Sequence, residues 1–346
     1  MRIAIVNDIP LAVEALRRIV SSMKDYSIAW TAYDGAEAVN KCAADIPDLI
    51  LMDLLMPVMD GVEATKQIMQ KSPCAILVVT ATVSGNAAKV FDAMGYGALD
   101  AVNTPVLGVG GGFEGAAHLL SKIEMIAKLI GKHSWKRFKP AGVPSQQISD
   151  KHCLIAVAAS TGGPLVLARI LRNLPAAFTA PIVIVQHVDA EFAPGLADWL
   201  TAETSLPVRL IQSDDRPDQY RVLLAATNEH LILSPSGNLQ YTPEPKEYPY
   251  RPSADVFFRS VAQNWRGHGA AVLLTGMGRD GAEGLLALRQ NGWMTIAQDQ
   301  STSIVYGMPK AAAELNAAQK ILPEQEIAPA LIEWNSLTQR HRDTEF

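Results

Sequence analysis

A short apolar run followed by a helix-period stripe recurs along this chain, and that alternation limits what it can fold into more than any other feature. Residues 3–6, 49–52, 75–79 and 98–102 are strand-like runs. Among the segments around them, Leu16, Ile19, Val20 and Met23 fall at i, i+3, i+4 and i+7, and Leu119, Ile123, Ile126 and Ile130 stripe a later one at the helical period. Strands that alternate with helices build a parallel sheet covered on both faces. The pattern lapses over residues 131–151, GKHSWKRFKPAGVPSQQISDK, where Lys, Arg, Pro, Gly and Ser displace periodic apolar residues and a solvated linker is expected. Its basic cluster, Lys132, Lys136, Arg137 and Lys139, reads as part of that tether rather than as a binding site.

The alternation resumes at residues 154–158, 182–185, 223–225, 271–274 and 295–297. One interruption, HLILSPSGNLQYTP, has the pattern of a hairpin turning through residues 235–238. The expected fold class is therefore α/β, in two doubly wound domains. Residues 1–130 form the first and 131–151 the linker, and residues 152–346 form a mainly parallel second domain with an antiparallel hairpin.

Charge narrows the function. With 30 basic and 35 acidic residues the net charge is -5, so no broad basic surface invites nucleic acid or an anionic membrane. Cys42, Cys74 and Cys153 are odd in number and contain no CxxC pair. The chain opens on strand-like MRIAIV without a signal peptide or long apolar span. These features point to a reducing cytoplasm and no membrane insertion.

In LILMDLLMPVMDG, Asp53 ends an apolar run, where an unpaired buried charge would cost several kcal/mol. The first run ends in Asn7 and Asp8, and in a parallel sheet such carboxyl ends lie along one edge, so Asp8 and Asp53 can converge on a hard cation such as Mg²⁺. Thr80 closes the 75–79 run at that same edge. An acid after the first strand, MDLLMPVMDG around a second acid and a Thr after the next strand together resemble the response-regulator receiver family, which implies a five-stranded parallel sheet. The resemblance implies that Asp53 accepts a phosphoryl group and that Asp8, Asp53 and the Leu55 carbonyl hold Mg²⁺. It also implies that the Thr80 hydroxyl turns toward the phosphate. Three positions depart from the family pattern: Asn7 replaces an acid, Thr104 the lysine before Pro105, and Ala101 an aromatic switch residue.

In the second half, Ser160 follows the 154–158 run in LIAVAASTGGP, His187 follows 182–185, and Asp280 lies in TGMGRDG after 271–274. Three strand ends on one edge bring distant residues together. A serine becomes a nucleophile when a base takes its proton, and the base needs a carboxylate to fix its tautomer. Gly162 and Gly163 permit a sharp turn and Pro164 suits the start of a helix, whose first amides would lie beside Ser160 where oxyanion charge develops. A second donor is expected from the backbone around Met277. Taken singly, Ser160 would cap a helix or bind phosphate, His187 would be an interior histidine, and Asp280 would cap a helix starting at Gly281.

Other chemistries fit less well. GxSxG is absent and the order Ser, His, Asp is not that of the α/β-hydrolases. No HxxxH or HExxH suggests zinc. Gly110, Gly112 and Gly115 satisfy GxGxxG but do not leave a strand directly into the helix of a first βαβ unit, so a loop is expected instead.

A receiver, a basic linker, then ASTGGP, QHV, YRPSADVFF, LLTGMGRDG and IAQDQSTSIVYGMPKAA resemble the CheB-type protein-glutamate methylesterases across nearly the whole chain. VNDIPLAVEAL and GYGALDAVNTP are most similar to the WspF-like branch. The resemblance implies Ser160 as nucleophile, His187 as general base and acid, and Asp280 as its orienting carboxylate. Thr161 and Met277 become active-site neighbours. It implies hydrolysis of glutamate γ-methyl esters on the cytoplasmic helices of a chemoreceptor, with glutamine deamidation in addition. The esterase reaction would need no cofactor. It further implies a chemosensory histidine kinase as phosphodonor and an unphosphorylated receiver that covers the Ser160 edge. The alternative is a receiver-controlled docking regulator of a chemosensory kinase complex, without turnover.

Overall fold

The computed structural model describes residues 1–81, 86–107, 113–130, 153–217, 221–248 and 250–343. The expected linker, 131–151, lies outside these residues, as do Gly110 and Gly112 of the GxGxxG match. The chain divides into two compact units, Met1–Lys136 and Arg137–Phe346.

The first unit alternates β1 (Arg2–Val6), α1 (Pro10–Ser21), β2 (Ser27–Ala32), α2 (Gly35–Ala44), β3 (Leu49–Met52), α3 (Gly61–Lys71), β4 (Ala75–Thr80), α4 (Ala87–Gly95) and β5 (Asp100–Asn103). A short antiparallel ladder, β6 (Val106–Leu107) with β7 (Phe113–Glu114), precedes α5 (Ala116–Ile130). The five-stranded sheet runs β2-β1-β3-β4-β5, all parallel. The order reverses between β1 and β3, and at such a switch point the carboxyl ends of the strands leave a crevice. Leu49, Ile50, Leu51 and Met52 are all fully buried, as a central strand covered on both faces requires.

Helix α3 starts hard against the end of β3. The Gly61 amide donates to the Leu54 carbonyl at 3.0 Å, and a Cβ on Gly61 would stand 2.0 Å from the Asp53 carbonyl oxygen. Gly61→Ala is therefore expected to lower the stability of this unit by about 1–3 kcal/mol, read from the urea midpoint of the full chain.

The second unit contains β8 (Cys153–Ala159), α6 (Gly163–Arg172), β9 (Ile182–Gln186), α7 (Ala193–Glu203), β10 (Val208–Leu210) and β11 (Val222–Leu224). The expected hairpin follows as antiparallel β12 (His230–Leu233) and β13 (Leu239–Thr242). Then come α8 (Ala254–Asn264), β14 (His268–Leu273), α9 (Ala282–Gln290), β15 (Met294–Gln298), α10 (Met308–Glu314), β16 (Lys320–Leu322) and α11 (Glu324–Asp343). The seven-stranded parallel sheet runs β10-β11-β9-β8-β14-β15-β16. From β8 the chain builds outward on one side through β9 and then crosses to β14, so β8 lies at the switch point. All seven residues of β8 are buried, and Phe257 and Phe258 of α8 join Leu273 and Leu285 in the core on one face.

Candidate active site

Ser160, His187 and Asp280 leave three strands that are neighbours in the sheet. β8 pairs β9 with Ala159 opposite Gln186, and pairs β14 with Ala158 opposite Leu273. The ladder continues past both strands: the His187 amide donates to the Ala159 carbonyl at 3.0 Å, and the Ser160 amide to the Thr275 carbonyl at 3.0 Å. Gln186 Nε2 donates to the Ser160 carbonyl at 2.9 Å and to the His187 carbonyl at 3.2 Å, which ties the two turns together.

The local sequence makes this possible. Gly162 adopts a left-handed φ of 77° and caps α6, whose first turn carries Pro164. Gly276 lies so close that a Cβ there would stand 2.7 Å from Ser160 Cβ. Thr161 is buried, and its carbonyl accepts from Thr275 Oγ1 at 2.9 Å. Met277 is half-buried in the turn between Gly276 and Gly278. The first amides of α6 have no intrahelical partners, as at any helix start.

His187 Nε2 lies 2.8 Å from Asp280 Oδ2, with both side chains nearly enclosed. Asp280 bonds more than the imidazole. Its Oδ2 also accepts from the Ala254 amide at 2.6 Å, and its Oδ1 accepts from Ser253 Oγ at 2.7 Å and from the Asp255 amide at 3.2 Å. It thus caps the start of α8, not the helix after Gly281, whose own start at Ala282 has no side-chain cap. Burial alone would raise the Asp280 carboxyl, but the bond to His187, its charge and the Ser253 and Ala254 donors outweigh burial and hold it below the usual carboxylate range. The helix dipole at α8 favours the same anion. Asp255 beside it is pushed the other way, upward, by burial and then by the Asp280 charge.

His187 Nδ1 is buried and has no hydrogen-bond partner among the described residues. Ser160 Oγ does not bond to it here. Such bonds often tighten only when substrate is bound. The structure thus joins His187 to Asp280 directly and brings Ser160 to the adjacent strand end. The sequence reading missed Gln186, Ser253 and Tyr250, whose ring stacks on His187. A polar Gln closing an otherwise apolar strand was the one local signal.

In the first unit, Asp53, Asn7 and Thr80 are buried together at the ends of β3, β1 and β4. Asp53 Oδ1 accepts from the Leu54 amide at 2.7 Å and Oδ2 from Asn7 Nδ2 at 3.1 Å. The Asn7 oxygen is taken by the Ile9 amide at 2.9 Å, so Asn7 offers Asp53 a neutral donor. Burial raises the Asp53 carboxyl to about 6, and the nearby Asp8 charge adds to that, against the Leu54 and Leu55 amides and the Thr80 hydroxyl. Two neighbouring carboxylates and the exposed Leu55 segment offer hard oxygen donors, and a cation would relieve their repulsion. The donor set fits Mg²⁺.

The CheB methylesterase family matches residues 155–331, and the response regulator receiver domain matches residues 3–107. A protein-glutamate methylesterase/protein-glutamine glutaminase 3 of Pseudomonas aeruginosa is 56% identical over 96% of this chain and 99% of its own. The corresponding protein of the group 3 operon of Pseudomonas putida is 54% identical over 96% and 99%. The crystal structure of the Thermotoga maritima CheB methylesterase catalytic domain superposes with a TM-score of 0.50 at 33% identity, covering 53% of this chain and 99% of that one.

Proposed function

This chain belongs to the CheB methylesterase family, and on that premise we propose that Ser160, His187 and Asp280 carry its chemistry. The protein is a protein-glutamate methylesterase and protein-glutamine glutaminase under the control of a receiver domain. The residue assignment rests above all on the 2.8 Å contact between His187 Nε2 and Asp280, with Nδ1 buried and unbonded at the edge where Ser160 leaves β8.

Ser160 Oγ attacks the γ-carbonyl carbon of a methylated glutamate while its proton passes to His187 Nδ1. Asp280 stays ionised and compensates the imidazolium. The oxyanion faces the amides that lead into α6, at Thr161 and Gly162, and the backbone around Met277. His187 returns the proton to the ester oxygen, methanol leaves, and a glutamyl ester remains on Ser160. Water, deprotonated by the same nitrogen, attacks that ester and releases glutamate and the free serine. On glutamine the first leaving group is ammonia.

The protein acts in the cytoplasm, its substrate is the cytoplasmic helices of a chemoreceptor, and the phosphodonor is a chemosensory histidine kinase. Among the described residues no helix is long and apolar enough to cross a membrane. Mg²⁺ held by Asp8, Asp53 and the Leu55 carbonyl would neutralise charge where the phosphoryl group arrives. Asp53 accepts that group and Thr80 donates to it.

The test is methanol release from a methylated receptor by the full chain, with and without acetyl phosphate and Mg²⁺. The wild type should release methanol and respond to the phosphodonor. Asp53→Asn should keep the basal rate and lose the response. A folded wild type that releases no methanol would refute the esterase assignment, and an Asp53→Asn variant that still responds would refute the phosphorylation site.

A further inference from the structure

Tyr250 lies in the segment between β13 and α8, remote in sequence from Ser160, His187 and Asp280. Its ring is stacked on the His187 imidazole with centroids 4.4 Å apart and planes 5° from parallel. The imidazole is therefore held by Asp280 at one edge and by Tyr250 at one face, which leaves Nδ1 as its working nitrogen. A π face attracts an imidazolium more than a neutral imidazole, so this contact strengthens when the serine proton is transferred.

Tyr250 is 8% exposed, and its OH has no hydrogen-bond partner among the described residues. A buried hydroxyl without a partner costs folding free energy, and phenylalanine would give the same stack without that cost. The OH faces the turn after β14: a Cβ on Gly278 would stand 3.2 Å from it. Two residues earlier in that turn, Gly276 packs on Ser160. A protonated donor thus waits beside the turn that borders the nucleophile. Burial, and then the Asp280 charge, push the phenol up, so it remains a donor throughout.

We propose that Tyr250 is a further catalytic residue, whose ring braces His187 and whose hydroxyl donates a hydrogen bond to the reacting γ-carboxyl group of the substrate. This assignment rests on the esterase reading above. Tyr250→Phe keeps the ring and deletes only the donor. In the full chain acting on methylated receptor, it should lower kcat by about 10- to 100-fold with little change in KM. Its thermal midpoint should equal or exceed that of the wild type, because an unsatisfied buried group has been removed. Tyr250→Leu, which also removes the brace, should lose more activity than Tyr250→Phe. A Tyr250→Phe enzyme with wild-type kcat, or one whose lost rate is accompanied by a matching fall in thermal midpoint, overturns the assignment. Absence of methanol release from the folded wild type overturns the esterase reading itself, and this assignment with it.

Discussion

Ser160→Ala is expected to reduce methanol release from methylated receptor by about 10⁴- to 10⁶-fold, the range seen when the nucleophile of a serine hydrolase is removed. The loss should fall on kcat, because the substitution deletes an atom that bonds to substrate only during reaction. Folding should be unaffected. The Ser160 backbone is held by Thr275, Gln186 and Gly163, none of which needs the hydroxyl. Measuring methanol by single-turnover kinetics beside a urea midpoint separates the two effects. A docking regulator without turnover would keep its influence on the signalling complex in Ser160→Ala. An enzyme would lose it together with methanol release, so the same variant decides between the two classes.

Asp280→Asn should be nearly as damaging to turnover, about 10³- to 10⁴-fold in kcat, and should also destabilise the fold. The carboxylate accepts four hydrogen bonds, from His187, Ala254, Ser253 and Asp255. An asparagine has one oxygen, so its NH₂ must face donors in either orientation. Placed toward Oδ2, it opposes the Ala254 amide and forces His187 into the wrong tautomer; placed toward Oδ1, it opposes the Asp255 amide. The negative charge that compensates imidazolium is gone in both cases. A stability loss of about 1–3 kcal/mol is expected from the opposed donors. If Asp280→Asn retained kcat within tenfold, His187 would have to be oriented by some other group.

Much of this arrangement was legible before any coordinates. Ser160, His187 and Asp280 each follow a buried apolar run, and a parallel sheet puts such ends on one edge; the strand order β9-β8-β14 realises this. The hairpin was legible because Pro235 to Asn238 break two alternating runs. β2 was not, since Ser27–Ala32 is a half-exposed edge strand without a continuous apolar run. The three-residue edge strands β10 and β16 failed for the same reason. Tyr250 and Ser253 lie in the quoted stretch YRPSADVFF, but their contacts are tertiary, and the stretch does not reveal that one covers His187 and the other bonds Asp280. The choice of ring nitrogen is equally hidden, because it depends on which edge of His187 meets the acid. For Asp53 the apolar run before it foretold a place at a strand end, while the donation from Asn7 had to be seen in the fold.

Because β8 is flanked by β9 on one side and β14 on the other, the three strand ends meet only in a chain that has all three strands. A ribosome delivers Ser160 and His187 well before Asp280, so a growing chain carries a hydroxyl and an imidazole with no acid to complete them. On the assignment proposed above, the serine has its full set of partners only when β14 and the turn that carries Asp280 are in place. A chain that ends before β14 would therefore hold the hydroxyl and the imidazole but lack the carboxylate that bonds His187.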